Sequence, residues 1–293
     1  MQQLIKQSVR RLLPEWMKKQ IRYYRNYLML KQTQGFEYDL GMYILSKAKD
    51  FSRRRGGMPD ALQASQLMDC ILRQTCLTHI NEAHQYLQTA FMPHYEQNLY
   101  EYYRQQQYLI LLTFLSYAFR GSGCLFSHIQ PFLTASAKLP TMRILDYGAG
   151  LPFGIIHLLR TCPEKIESIT IVDMDLVHTE FAEFILSDLC PDTRINFIKV
   201  TDPAKVPDFQ DRTFNIIYGK DIFEHLHHPE RYLRAILDGA EDICYCYFDF
   251  TDHGERWLQH VNPDLSHLQT ITRDYFFKAI GKIGNLSEFV RAV

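Results

Sequence analysis

No stretch of this sequence is apolar for long enough to cross a bilayer. The longest nearly apolar run, Tyr108–Phe119, falls well short of the roughly 20 residues that a spanning helix needs. An apolar leader is missing too: Met1–Arg11 is polar and basic, so the chain is expected in the cytoplasm. The cysteines (Cys70, Cys76, Cys124, Cys162, Cys190, Cys244 and Cys246) are odd in number and form no C-x-x-C pair. That excludes a disulfide framework or a zinc knuckle and fits a reducing compartment. A net charge of -1 carries no polyanion-binding signature, and no nucleic-acid module is recognisable, so nucleic acid is not an expected partner. Internal repeats and low-complexity tracts are absent as well.

The 293 residues are 46% hydrophobic, enough for a substantial core. Charge is unevenly placed. Residues 1–55 hold 13 Lys/Arg against 4 Asp/Glu, or +9, which leaves -10 for the rest. Leu4, Ile5, Val9, Leu12, Leu13, Trp16, Met17, Ile21, Tyr24 and Leu28 recur at helical steps with basic residues between them, and Pro14 should kink or divide that helix. Such a face is either simply solvated or a peripheral membrane contact through residues 1–31. The run Arg53–Pro59 reads as a break, with Asp60 as the next N-cap. Helical patterning resumes over Ala61–Leu87, Tyr95–Phe119 and Ser127–Lys138, and Pro140 closes this half. Its tyrosines, Tyr95, Tyr100, Tyr102, Tyr103 and Tyr108, are expected to pack between helices, with some available to an acceptor pocket.

From Arg143 the texture changes. Arg143–Tyr147, Ser168–Val172, Ile195–Val200, Phe214–Tyr218 and Ile243–Phe250 read as strands. Amphipathic helices are expected near Phe153–Arg160, Asp175–Leu189 and Pro229–Leu237. The alternation predicts an α/β fold, a Rossmann-like doubly wound and mostly parallel sheet over 140–293, preceded by a helical region over 1–139. After the fifth strand a helix is expected at Arg273–Ile280 and one strand-like run at Ser287–Val293.

Asp146-Tyr147-Gly148-Ala149-Gly150 ends the first strand in a glycine turn, where the backbone can approach a ligand closely; Pro152 falls where helix position N1 is expected. An acid ahead of the first glycine repels a pyrophosphate but suits an ammonium. Asp173 ends the second strand, where a carboxylate accepts from ribose hydroxyls, and Thr201-Asp202 end the third. Three acids at successive strand ends are a far more specific signal than the glycines alone.

Ile144–Leu237 resembles the class I S-adenosylmethionine-dependent methyltransferases, through Leu145–Gly150, Asp173, Asp202, the strand Phe214–Tyr218 and the run Glu224–Glu230. The resemblance implies S-adenosylmethionine as cofactor, held by Asp146, Gly148, Ala149, Gly150, Asp173, Met174, Thr201, Asp202 and Lys220. It departs at Pro152, where a third glycine is usual, at Asn215, where aspartate is common, and at the far end of the sheet, which is either shortened or completed by a short strand within Thr251–Thr270. It implies methyl transfer to a small-molecule acceptor on oxygen, such as a sugar, glycolipid or quinone-like compound; the basic start also resembles the openings of some bacterial sugar- and lipid-modifying enzymes.

An oxygen acceptor must lose its proton, and two routes are open. His253 or His260, after the fifth strand, are candidate bases. Asp221, Glu224 and His225 are spaced to share one side of a helical turn and to hold Mg2+ or Zn2+. That set looks like the metal site of ubiquinone-type O-methyltransferases and small-RNA 2′-O-methyltransferases. Two alternatives accompany the main reading: a cation-assisted RNA 2′-O-methyltransferase, and a non-catalytic protein of the same fold acting as a partner or sensor.

Overall fold

A computed structural model describes Pro14, Met17 and residues 36–56, 100–117 (without Tyr102 and Gln106), 124–191, 194–202, 205–209, 212–226, 228–250, 264–283 and 285–292. The chain forms two compact units: Met1–Asn81 with Tyr108–Leu125, and Glu82–Gln107 with Phe126–Val293. Residues from ahead of position 140 therefore fold with the sheet. Expectations for the basic start and for residues 58–87 lie outside the described residues, Pro14 and Met17 excepted.

In the first unit, α1 (Phe36–Arg55) buries Leu40, Ile44, Leu45, Ala48 and Phe51 along one stripe. Arg53, Arg54 and Arg55 form its last turn, where cations oppose the helix dipole, and Gly56 follows in a left-handed conformation. The expected break thus begins at Gly56, after the arginines. Helix α2 (Gln107–Tyr117) starts at the boundary of the units and buries Leu111 and Leu115.

The second unit continues with α3 (Cys124–Ser136, from Phe126 on), β1 (Met142–Tyr147), α4 (Phe153–Thr161), β2 (Ile166–Met174), α5 (Val177–Leu189), β3 (Arg194–Val200), β4 (Phe214–Gly219), α6 (Pro229–Asp238), β5 (Ala240–Phe248), α7 (Ser266–Asp274), β6 (Lys278–Ile283) and β7 (Leu286–Ala292). The seven strands form one sheet in the order β3-β2-β1-β4-β5-β7-β6. The first five run parallel; β7 joins β5 antiparallel, and β6 pairs β7 antiparallel. Ile144, Leu145, Ile171, Val172, Ile216 and Ile217 are all buried, because helices cover both faces of the central strands. On one face Leu145, Ile217 and Phe248 share a core with Leu233, Ile236 and Leu237 of α6 and Leu268 of α7.

The amino-terminal ends of the strands are fastened by polar groups. Asn215 accepts from the Arg143 N–H at 2.8 Å and donates to the Thr141 carbonyl at 3.0 Å. An ionised aspartate, which only accepts, cannot do both, so the departure at Asn215 has a local structural role. The Arg143 guanidinium pairs with Glu167 on β2 at 2.7 Å and with Glu241 on β5.

The far edge of the sheet differs from expectation. Helix α7 ends at Asp274, and Lys278–Ile283 is a strand rather than the continuation of a helix. Phe276 takes a positive φ of 65°, which a β-branched or aromatic residue adopts only under constraint; it ends the helix, and pairing with β7 then supplies the strand. The sheet has its full seven strands. Among the described residues no helix is long and apolar enough to cross a membrane.

Candidate functional site

Strand order reverses at β1, which has β2 on one side and β4 on the other. Open α/β sheets bind ligands at the carboxyl ends beside such a switch point. The turn after β1 sits there. Gly148 and Gly150 have φ of 71° and 54°, and the Gly148 N–H donates to the Val172 carbonyl at 2.8 Å, tying the turn to β2. A Cβ on Gly148 would stand 2.6 Å from Ile222 Cγ1, so both the dihedral and the packing demand glycine. Ala149, between them, is half-buried. Pro152 precedes the helix as its N-cap rather than occupying N1, and the close approach reserved for a glycine falls to Gly154, which lies against Phe132 and the His128 carbonyl.

Asp146 ends β1 almost fully buried, 2% exposed, and among the described residues nothing hydrogen-bonds its Oδ1. Burial first, and then the Asp173 carboxylate, push its pKa well above the usual carboxylate range. A buried acceptor without a partner is costly, and such a group calls for a donor from water, an ion or a ligand. Asp173 lies within β2 near its end. It accepts from the Gly150 N–H at 2.6 Å and the Met174 N–H at 2.7 Å, and His178 Nε2 stands 3.2 Å from its Oδ1. A carboxylate has about four lone-pair sites, so Oδ2 keeps room for one further donor. Thr201 is exposed beyond β3, while Asp202 is half-exposed and pairs with Lys205 at 3.5 Å. Asp146, the glycine turn and Asp173 are thus gathered, with Asp202 on the rim.

On the β4 side, Tyr218 is the register partner of Asp146. His128 of α3 bridges Tyr218, whose hydroxyl is 3.1 Å from Nδ1, and Lys220, whose Nζ is 3.1 Å from Nε2. Burial, then the Lys220 charge, bring His128 down to about 3, so the ring is neutral. Burial and the carboxylates of Asp146, Asp221 and Asp249 lift the Tyr218 phenol. Asp249, just past β5, is fully buried. Asp221 is held at a positive φ of 53°, a strained backbone of the kind found at functional sites.

Glu224 and His225 belong to a single 3-10 turn, Phe223–His225, and not to an α-helical turn that would align Asp221 with them. Glu224 turns inward at 2% exposure, whereas the Asp221 side chain is 49% exposed. Among the described residues no three His, Cys, Asp or Glu side chains form a group able to hold a metal ion, so Asp221, Glu224 and His225 are not brought together as ligands. Glu224 is instead pushed up to about 8, mainly by burial, with smaller contributions from Asp221 and Asp249. Unfolded, this carboxyl titrates near 4.5. Between those values the folded protein keeps a proton that the unfolded chain has released, so stability falls as pH rises through the window. Urea denaturation should show the protein less stable at pH 8 than at pH 5.5 by on the order of 3 kcal/mol, with a visibly shallower slope for Glu224→Gln.

Three contacts from residues ahead of the sheet cross this edge, and the sequence pattern did not indicate their partners. The Tyr100 hydroxyl donates to the Asp175 carbonyl at 3.4 Å, and Gln107 Oε1 accepts from the Val177 N–H at 3.2 Å. The Tyr103 hydroxyl lies 3.5 Å from His225 Nδ1, the two rings meeting edge to face. Two of the tyrosines expected to pack between helices, with some available to an acceptor pocket, therefore span from the α5 entrance to the loop after β4. Asp249 carried a readable signal, an acid directly after a strand; His128 and Gln107 carried none. His253 and His260 lie outside the described residues.

No protein-family profile matches the sequence, and no curated protein matches it. Solved structures similar to it include a SAM-dependent methyltransferase from Aquifex aeolicus, 17% identical at TM-score 0.43, covering 58% of this chain and 92% of that one. An O-methyltransferase family protein from Burkholderia thailandensis is 11% identical at TM-score 0.43, covering 75% of this chain and 69% of that one. The [4+2]-cyclase SpnF is 20% identical at TM-score 0.44, covering 55% of this chain and 61% of that one. At these scores the likenesses add nothing to what the strand order shows. The fold is the mostly parallel, seven-stranded α/β arrangement of the class I methyltransferase type, closed by an antiparallel pair at β7 and β6.

Proposed function

We propose that this protein binds S-adenosylmethionine at the carboxyl edge of the sheet and transfers its methyl group to a small-molecule acceptor, on oxygen. The observation that carries the reading is Asp146: a buried carboxylate, unpartnered at Oδ1 among the described residues, beside a turn with two left-handed glycines. Its chemistry suits an ammonium, and the Asp173 Oδ2 has a site left for a ribose hydroxyl. In this reading Met174 and Thr201 flank the adenine and Asp202 accepts from its amino group. Bound there, the cofactor supplies an electrophilic methyl group on a sulfonium, and in-line displacement demands positioning above all.

Tyr100, Tyr103 and Gln107 lie across the same edge, where they restrict water and shape the acceptor side. The acceptor proton is assigned to His253 or His260, which follow β5. A sugar, glycolipid or quinone-like hydroxyl fits that chemistry. No cation site is assembled among the described residues to favour a metal-assisted route or the RNA reading. Calorimetric titration with S-adenosylhomocysteine, followed by incubation of the protein with methyl-labelled S-adenosylmethionine and small-molecule extracts, tests the assignment. Saturable micromolar binding and label in an extractable product are expected; absence of binding overturns the reading, and binding without any labelled product overturns its catalytic part.

A further inference from the structure

We propose that His128, on a helix that precedes the whole sheet, is a positioning residue: by accepting a hydrogen bond from Lys220 it aims that ammonium at the edge beside Asp146, making an anion–cation pair that recognises a zwitterionic α-amino-acid group. The inference rests on the cofactor reading above and deepens it, since the methionyl end of S-adenosylmethionine is such a group.

Proton accounting fixes the direction of the bonds. A lysine ammonium only donates, so Nε2 of His128 must be the acceptor in the 3.1 Å contact with Lys220. A neutral imidazole then carries its proton on Nδ1 and donates it to the Tyr218 oxygen, also at 3.1 Å. Burial keeps the ring neutral far below physiological pH, so the acceptor persists throughout the working range. The ring is itself fixed, meeting Phe153 of α4 edge to face with centroids 5.7 Å apart.

A neutral partner has a consequence that a carboxylate partner would not. It orients the ammonium without cancelling its charge, leaving the cation available to an incoming carboxylate. The nearest carboxylate to Lys220 among the described ion pairs is Asp221 at 3.8 Å, and its side chain is half-exposed, so solvent weakens that pairing. Lys220 follows Tyr218 by two residues, and Tyr218 lies in register with Asp146. Ammonium and unpartnered carboxylate therefore stand at the ends of adjacent strands, one for each charge of an α-amino acid.

Two ligands separate this idea from the cofactor reading: S-adenosylhomocysteine, and 5′-methylthioadenosine, which keeps the thioether nucleoside and lacks the amino acid. Titration calorimetry on the full chain is expected to show Lys220→Met weakening the first by at least about tenfold and the second by less than about twofold. His128→Leu should weaken only the first, by about three- to tenfold, and His128→Gln, whose amide oxygen can take the place of Nε2, should restore most of it. A His128→Leu protein that binds S-adenosylhomocysteine like wild type overturns the proposal, as does a parallel loss of both ligands, which marks a merely structural role. Should that variant not fold, Lys220→Met decides by the same comparison. Wild-type protein that binds neither ligand overturns the cofactor reading and this inference together, whereas failure of the variants alone leaves the cofactor reading standing.

Discussion

Replacing Asp146 by Asn is expected to weaken S-adenosylhomocysteine binding by about 100-fold, equivalent to about 2.7 kcal/mol, while leaving the ligand-free protein as stable as wild type or more so. Both effects come from one physical situation. The carboxyl is buried, its Oδ1 has no hydrogen-bond partner among the described residues, and Asp173 lies close enough to oppose its ionisation. In the free protein a negative charge there is a liability, because burial and the Asp173 carboxylate both oppose it. Asparagine has nearly the same shape and no charge to desolvate, so the ligand-free fold loses nothing. The ligand's ammonium needs that charge, and the amide cannot supply it. An ammonium beside it favours the charged form, so binding should release a proton wherever the free carboxyl still holds one. The heat of binding in wild type should then vary with the ionisation enthalpy of the buffer, and Asp146→Asn should abolish that dependence. A variant that loses stability and affinity in proportion would mean that Asp146 serves the fold and not a ligand. The pairing of lost affinity with retained stability is the usual mark of a residue kept for function at the fold's expense.

Asp146, Gly148, Gly150 and Asp173 were legible in the sequence because their neighbourhood is local. Each follows or ends an apolar strand, and the parallel sheet brings those ends together whatever the intervening helices do. His128 and Gln107 were not, and Tyr100 and Tyr103 only as members of a tyrosine set, because segments ahead of the sheet deliver them and no spacing rule links such segments to a strand end. Lys220 was readable as a residue past β4, but the neutral imidazole that orients it was not. The proposed Asp221, Glu224 and His225 ligand set is not assembled among the described residues, for a different reason. Its spacing presumed an α-helical turn, and the chain there makes a 3-10 turn that sends Glu224 inward. At the sheet edge, Phe276 and Phe277 gave a helical pattern that a positive φ and pairing with β7 override. Tertiary pairing decided where local preference was weak.

Gly154 gives the largest expected loss of stability. It lies one residue inside α4, where alanine would ordinarily favour a helix by up to about 1 kcal/mol over glycine. Here the sign reverses. A Cβ at this position would stand 2.7 Å from the His128 carbonyl oxygen and closer still to the ring of Phe132, so α3 would have to move off α4. Phe132 is 1% exposed, so it cannot swing out without leaving the core. Gly154→Ala should therefore cost about 2–3 kcal/mol net of the helix gain, measured by urea denaturation followed by circular dichroism. Adding Phe132→Leu should relieve only part of the clash, because the His128 carbonyl is backbone and cannot be trimmed. The two changes should thus be less than additive without cancelling. The same movement carries His128 away from Lys220, so a Gly154→Ala protein that still folds should bind S-adenosylhomocysteine several-fold more weakly, with 5′-methylthioadenosine little affected. Full stability in Gly154→Ala would show that α3 does not pack this closely on α4, and would remove the support on which the placement of His128 depends.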